Sequence, residues 1–377
     1  MGRIALPIDR IEMFARNNAS EAGEERIAAP ALRDSQTDNT AHADIRDAVG
    51  DEEDDGLVLI YPGEDDLFAE NEDDLLYDDV EPYSVDDVVI TIAGGNKRAT
   101  AVSAAALTPV IRPVADADEA LLRSTALGKV PRISPDGRKA VSYYRSSFEG
   151  GGAKPRVAIV VGGLGLNSAV TERAIDDLPP EISLSFAPYA KNLDFWTRKA
   201  RQAGHEVLIE LPMEGYGAST QALGAAGLLS TRTPEENLQR LDWLMARFGA
   251  YFAATNYMGA KFSADEASIA PILAKLKESG VGYIDDTGAA ARVAGSLPMA
   301  TVSRMIPAAP DDQDLRAVKR ELSVLEKIAE RDGFALGKTY AYAATIDEIA
   351  RWSKTLEEKG FVAAPASALL RSATASR

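Results

Sequence analysis

Acidic side chains close several of the apolar runs in the second half of this sequence. Glu210 and Glu214 flank Leu211-Pro-Met213, and Asp285 and Asp286 follow Val281-Gly-Tyr-Ile284. Asn256 and Tyr257 end the run that begins at Tyr251, Arg304 lies within Thr301–Ile306, and Tyr340 and Tyr342 end a run from Phe334. Carboxylates gathered at one place can serve as acid and base toward a polar bond, or can hold a hard divalent cation. Carboxylates alone do not choose between a sugar-binding groove, a metal site and solvated loop ends. Thiol chemistry is excluded, because the chain has no cysteine. Imidazole is scarce, since His42 and His205 are the only histidines, and neither falls at a strand end.

The elements that must position these residues are legible from hydrophobic pattern and punctuation. Val157–Val161 reads as a strand buried on both faces, broken by Gly162, Gly163 and Gly165 before a helix that Pro179-Pro180 stops. The unit then repeats, with strands expected at Ile182–Phe186, Val207–Leu211, Tyr251–Tyr257, Val281–Asp285, Thr301–Ile306 and Phe334–Tyr342, and a short eighth at Phe361–Ala364. Thr233-Pro-Glu-Glu236, Ser263-Ala-Asp-Glu266 and Thr345-Ile-Asp-Glu348 read as capping boxes that open intervening helices. A long helix carries Leu315, Val318, Leu322, Leu325 and Ile328 on one stripe. Strands separated by single helices specify a parallel sheet, and seven or eight of them favour a closed or nearly closed β/α barrel. In such a barrel the chemistry sits where strands end, which brings Glu210, Glu214, Asn256, Tyr257, Asp285, Asp286 and Arg304 to one face.

The first half has a different character. The formal net charge is −17, and the 17 carboxylates between Asp51 and Asp87, where no Lys or Arg occurs, equal that whole excess. Such a tract repels phosphate backbones, so nucleic acid is not expected as a partner. Residues 1–130 read as an acidic, mostly disordered region with possible strands at Leu57–Tyr61 and Val88–Ile92, residues 131–155 as a linker, 156–368 as the barrel and 369–377 as a tail. No run is long enough to span a bilayer, and no apolar leader is visible at the N-terminus.

Four motifs in order carry a resemblance. Val160-Val-Gly-Gly-Leu-Gly165 looks like a family's opening strand with Asp-Asp-Leu-Gly, and Gly204-His-Glu-Val-Leu-Ile-Glu-Leu-Pro-Met-Glu214 like its Gly-x-Glu-Val followed by Pro-Met-Glu. Asn256-Tyr-Met-Gly-Ala260 is similar to its Asn-His-Met-Gly-Ser, and Tyr283-Ile-Asp-Asp-Thr287 to its Phe-Leu-Asp-Ser-x-Thr. The chain thus resembles the divergent polysaccharide deacetylases, from about Arg156 to Ala368. The resemblance implies a distorted β/α barrel, an N-acetylated polysaccharide or glycan as ligand, a place in the cell envelope or periplasm, and a divalent metal held by Asp and His that activates water.

The departures fall on those ligands. The Asp-Asp pair is Gly162-Gly163, the His expected before Leu-Pro-Met is Glu210, the one before Met-Gly is Tyr257, and the late Gly-His-Pro is Tyr340-Ala-Tyr342. A metal would have to be built from Glu210, Glu214, Asp285 and Asp286, so a weak or absent metal is expected. If activity is retained, Glu210, Asp285 and Asp286 are the catalytic candidates; Glu214, Asn256, Tyr257 and Arg304 are the substrate-binding ones. The rival class is a non-catalytic carbohydrate-binding or envelope-interaction protein. Tyr189, Tyr216, Tyr340 and Tyr342 are candidates to stack on sugar rings. The glycine turn approximates a dinucleotide fingerprint, but Ser168 replaces its third glycine; a tight strand-to-helix turn is the simpler reading.

Overall fold

A computed structural model describes residues 113–148, 152–217, 219–311 and 315–371. The acidic tract and the two apolar islands at 57–61 and 88–92 lie outside these residues. The described part opens with an antiparallel hairpin, β1 (Leu122–Thr125) and β2 (Gly128–Pro131), followed by the short helix α1 (Ala140–Tyr143). The repeating unit begins with β3 (Arg156–Leu164), α2 (Ser168–Asp177), β4 (Ser183–Phe186), α3 (Leu193–Gln202) and β5 (Val207–Met213). Next come α4 (Pro234–Met245), β6 (Ala253–Met258), α5 (Ala260–Ala264), α6 (Glu266–Glu278) and β7 (Gly282–Asp285). It closes with β8 (Met299–Thr301), β9 (Arg304–Met305), α7 (Leu315–Asp332), β10 (Phe334–Tyr340), α8 (Ala343–Ser353) and β11 (Val362–Ala363).

The parallel strands run in the order β8-β7-β6-β5-β4-β3-β10-β9, with β11 paired to β3 off this path. This is a curled half-barrel. The sixth strand expected at Thr301–Ile306 is instead two short pieces, β8 on the β7 side and β9 on the β10 side. Between them Val302 N–H donates to Asp285 O at 2.8 Å and Ser303 N–H to Leu336 O at 2.7 Å, so two residues cross the gap between β7 and β10. That crossing brings the C-terminal end of β7 beside β10.

Strand parity sorts the side chains. On β10, a Cβ at Gly337 would meet Ile306 and Leu325, which places that face under α7, while Lys338 and Tyr340 lie on the opposite, inner face. The α7 stripe behaves as its spacing predicts, with Leu315, Val318, Leu322 and Leu325 buried. The capping box at Thr233 forms, its hydroxyl accepting from Glu236 N–H and the Glu236 carboxylate from Thr233 N–H. The other two do not. Ser263 is buried inside α5 and Asp265 takes the N-cap position of α6; Thr345 lies inside α8, where its hydroxyl instead accepts from Ala309 N–H at 2.7 Å.

The N-terminal end of the barrel is covered by residues 113–148, so the last part of the region expected to be mostly disordered (113–130) and most of the expected linker instead form a hairpin and a short helix docked on the fold. Val114 N–H donates to Arg201 O, Val141 N–H to Gly280 O, and Ser146 N–H to the buried carboxylate of Glu206 at 2.9 Å. Glu206 also accepts from Ser183 Oγ and from Ser367 N–H and Oγ, tying the extension, β4 and the C-terminal turn together. Burial pushes its pKa up, against the pull of these donors. The strand ends at the opposite face remain for a ligand.

Candidate site at the mouth of the half-barrel

Lys338 organises the inner face. Its side chain has 0% exposure, and its ammonium donates to Thr255 Oγ1 at 3.1 Å, to Asp286 Oδ2 at 2.6 Å and to the Asn256 carbonyl. Asn256 and Asp286 also clasp each other: Asp286 N–H donates to Asn256 Oδ1 at 3.1 Å, and Asn256 Nδ2 donates to Asp286 Oδ1. Asp286 is thus held by a cation and an amide at once. Above this cluster Tyr257 and Tyr340 pack edge to face, centroids 5.8 Å apart. Burial, with the Glu210 carboxylate nearby, pushes the pKa of Tyr257 upward, so its phenol stays protonated.

Glu210 is fully buried on the inner face of β5, and its Oε1 accepts from Gly163 N–H at 2.7 Å. A Cβ on Gly162 would stand 2.4 Å from that same oxygen and 3.1 Å from the Tyr340 ring. The paired glycines occupy the point where the β3–β4 ladder shifts register, and Gly163 has φ +74°, a conformation that favours glycine. The turn that follows is a packing feature. Gly165 N–H donates to Thr171 Oγ1, and a Cβ at Gly165 would lie 2.6 Å from Ala190 Cβ, so no phosphate cradle is formed there.

The remaining candidates separate. Glu214 stands at the end of β5, where it accepts from Ser230 N–H and Oγ and pairs with Lys261 at 2.7 Å. Burial opposes its ionisation, but Lys261 and Ser230 outweigh it and hold the carboxyl below its usual pKa. Asp285 points the other way along β7: it accepts from Thr287 N–H and Oγ1 and from Ala290 N–H, capping its own turn. Arg304 pairs with Glu321 of α7 on the helix-covered side. Glu210, Tyr257 and Asp286 therefore border one interior, Asn256 braces Asp286 at the end of β6, Glu214 lies at the end of β5, and Asp285 and Arg304 are engaged elsewhere. Among the tyrosines, Tyr340 is buried and Tyr189 pins a loop through Leu223 O and Ala226 N–H, whereas Tyr216 is 70% exposed.

The sequence profile described as divergent polysaccharide deacetylase matches residues 159–370. This chain belongs to that family. Among curated proteins none matches it. Among solved structures, an uncharacterized protein from Agrobacterium tumefaciens C58 is 32% identical with a TM-score of 0.59, the match covering 64% of this chain and 99% of that one. A putative cellobiose-phosphate cleavage protein from Enterococcus faecalis V583 has 11% identity and a TM-score of 0.42 over 58% of this chain and 100% of that one, a likeness too remote to bear on function.

The divalent metal implied by the deacetylase resemblance does not fit the donors present. Among the described residues no group of three or more His, Cys, Asp or Glu side chains is arranged to hold a metal ion. The position of the family's Asp pair is closed to any side chain at 162 by Glu210. His205 lies toward the N-terminal end, buried, with both ring nitrogens against the carbonyls of Ile175 and Ile182. Sequence reasoning missed Lys338 and Glu206. The signal for Lys338 was present: it is a lone charge in an apolar strand, two residues before Tyr340 and therefore on the same face.

Proposed function

We propose that this divergent polysaccharide deacetylase-family protein binds an N-acetylated envelope glycan at the mouth of its half-barrel and does not hydrolyse it through a metal. The observation that carries the reading is the donor set. Metal-assisted hydrolysis needs protein side chains that bind the ion directly around an open coordination position, and here glycine, glutamate and tyrosine stand at the positions of those ligands, with Asp286 committed to Lys338 and Asn256. Exposed Tyr216, close in sequence to Glu214 at the end of β5, offers an aromatic face for a sugar ring. Location in the cell envelope or periplasm belongs to the same reading. Among the described residues no helix is long and apolar enough to cross a membrane.

The test pairs binding with turnover. N-acetylated chitooligosaccharides and peptidoglycan fragments are titrated calorimetrically against the full chain, and acetate release from the same glycans is followed with and without added Zn²⁺, Co²⁺ or Mg²⁺. Binding weakened by Tyr216→Ala, without acetate release, supports the reading. Acetate release with a stoichiometric metal, abolished by Glu210→Ala or Asp285→Ala, overturns it and makes the protein a hydrolase with an unusual carboxylate site.

A further inference from the structure

We infer that Lys338 is the resident cation of the barrel, a positioning residue whose ammonium fixes Asp286 and Asn256 across the gap in the sheet. The inference rests on the metal-free reading of the site given above and adds what replaces the metal. Four observations converge on it. Lys338 has 0% exposure, and a buried ammonium is tolerated only when it is paired and its donors are satisfied. It has three N–H donors and three partners: Thr255 Oγ1, the Asn256 carbonyl and Asp286 Oδ2. Those partners belong to β6 and to the turn after β7, whereas Lys338 belongs to β10, and no ladder joins β7 to β10. The fourth is the Tyr340 ring, whose centroid is 5.8 Å from the ammonium on the same strand face.

This arrangement also fixes what Lys338 does not do. A lysine that forms a Schiff base or acts as a base must present a neutral amine to its ligand. With every N–H directed at a protein acceptor and a carboxylate at 2.6 Å, this side chain instead behaves as a fixed point charge. It supplies the interior with the positive charge that a metal ion would bring, and it takes one oxygen of Asp286 while Asn256 takes the other. Asp286 is thereby removed from the pool of carboxylates able to bind a divalent cation.

The experiment replaces the cation from solution. Lys338→Ala lacks the atoms from Cγ to Nζ, and n-propylammonium matches them in length and donors. The wild-type melting temperature should be unmoved by Zn²⁺ or Mg²⁺, and Lys338→Ala should melt about 10 °C lower, as loss of one partner of a buried pair implies for a domain of this size. The loss should be partly restored by n-propylammonium chloride and not by tetramethylammonium chloride at equal ionic strength, because the latter has no N–H. Adding Asp286→Asn to Lys338→Ala should raise the melting temperature above that of the single variant. If Lys338→Ala is not recovered in soluble form, Lys338→Met is compared with Lys338→Met/Asp286→Asn, and the double variant should again be the more stable. A wild-type melting temperature for Lys338→Ala, equal responses to the two salts, or no gain from Asp286→Asn overturns the inference. With a metal-free wild type, such a result leaves the glycan-binding reading standing; a stoichiometric metal in the wild type overturns both.

Discussion

The missing Cβ of Gly162 and the Glu210 carboxylate exclude each other: a Cβ on the one would stand 2.4 Å from Oε1 of the other. A substitution at one position is therefore conditional on the other, although the two lie on different strands. Gly162→Ala should destabilise the fold by about 2 kcal/mol, the usual scale of overpacking a filled core. Glu210→Ala removes the obstacle but leaves Gly163 N–H without the acceptor it has at 2.7 Å. The double variant should be less destabilised than the sum of the singles, with a coupling of about 1 kcal/mol or more. Urea denaturation of the four proteins measures it, and additive effects would show that Glu210 moves aside freely.

Asp285 and Asp286 are adjacent in sequence and opposed in role. Asp285 caps its own turn through Thr287 and Ala290, while Asp286 meets Lys338 and Asn256. Asp285→Ala should cost about 1–3 kcal/mol, because it leaves turn donors without their acceptor. It should leave glycan affinity nearly unchanged after correction for the folded fraction. Calorimetric titration at a temperature where the variant is fully folded checks this, and a tenfold loss of affinity there would place Asp285 in the binding surface.

The architecture was legible for a simple reason. The apolar runs are uniform, the breakers Pro179-Pro180, Gly204 and Gly249 stand between them, and α7 shows its stripe without interruption. The geometry of the candidate site was legible only in part. Glu210, Asn256, Tyr257 and Asp286 were placed by strand ends, but nothing local tells whether a carboxylate at a strand end turns inward like Asp286 or back onto its own loop like Asp285. Thr345-Ile-Asp-Glu348 has the pattern of a capping box, yet α8 begins at Ala343 and the Thr345 hydroxyl meets Ala309 N–H across the fold. That pairing is long-range, and sequence spacing carries no record of it. Thr345→Val should therefore cost about 1–2 kcal/mol through an unsatisfied buried N–H rather than through loss of a cap.

His205 gives the fold an acid limit. Its imidazole is buried, and burial lowers its pKa below the ordinary value despite the carbonyls of Ile175 and Ile182. The unfolded chain then binds a proton that the folded chain resists, so stability is present above the unfolded pKa and falls as pH drops through about 6.5 toward the folded value. Melting temperatures of wild type and His205→Gln between pH 5 and 8 isolate this contribution. The wild type should lose stability on acidification more steeply than the variant over that window, and parallel curves would mean that His205 contributes nothing to the limit.

Glu214 offers the last test, on the loop that follows β5. Its carboxylate accepts from Ser230 N–H and Oγ and pairs with Lys261 at the start of α5, so one side chain ties residue 230 to α5. Its pKa is held down because Lys261 and Ser230 together outweigh its burial. A depressed carboxyl pKa contributes stability that is present above the ordinary value and lost as pH falls through the folded one, so the tie holds at neutral pH. Glu214→Gln keeps the shape, removes the charge, and should weaken both contacts together; Lys261→Met removes only the ion pair. Limited proteolysis between residues 215 and 230 at pH 7 should therefore accelerate most for Glu214→Gln and less for Lys261→Met. If both variants resist cleavage as the wild type does, the loop is held by Tyr189 and its neighbours without help from Glu214. If Glu214→Gln accelerates cleavage and also weakens glycan binding, the ordered loop is part of the ligand's seat.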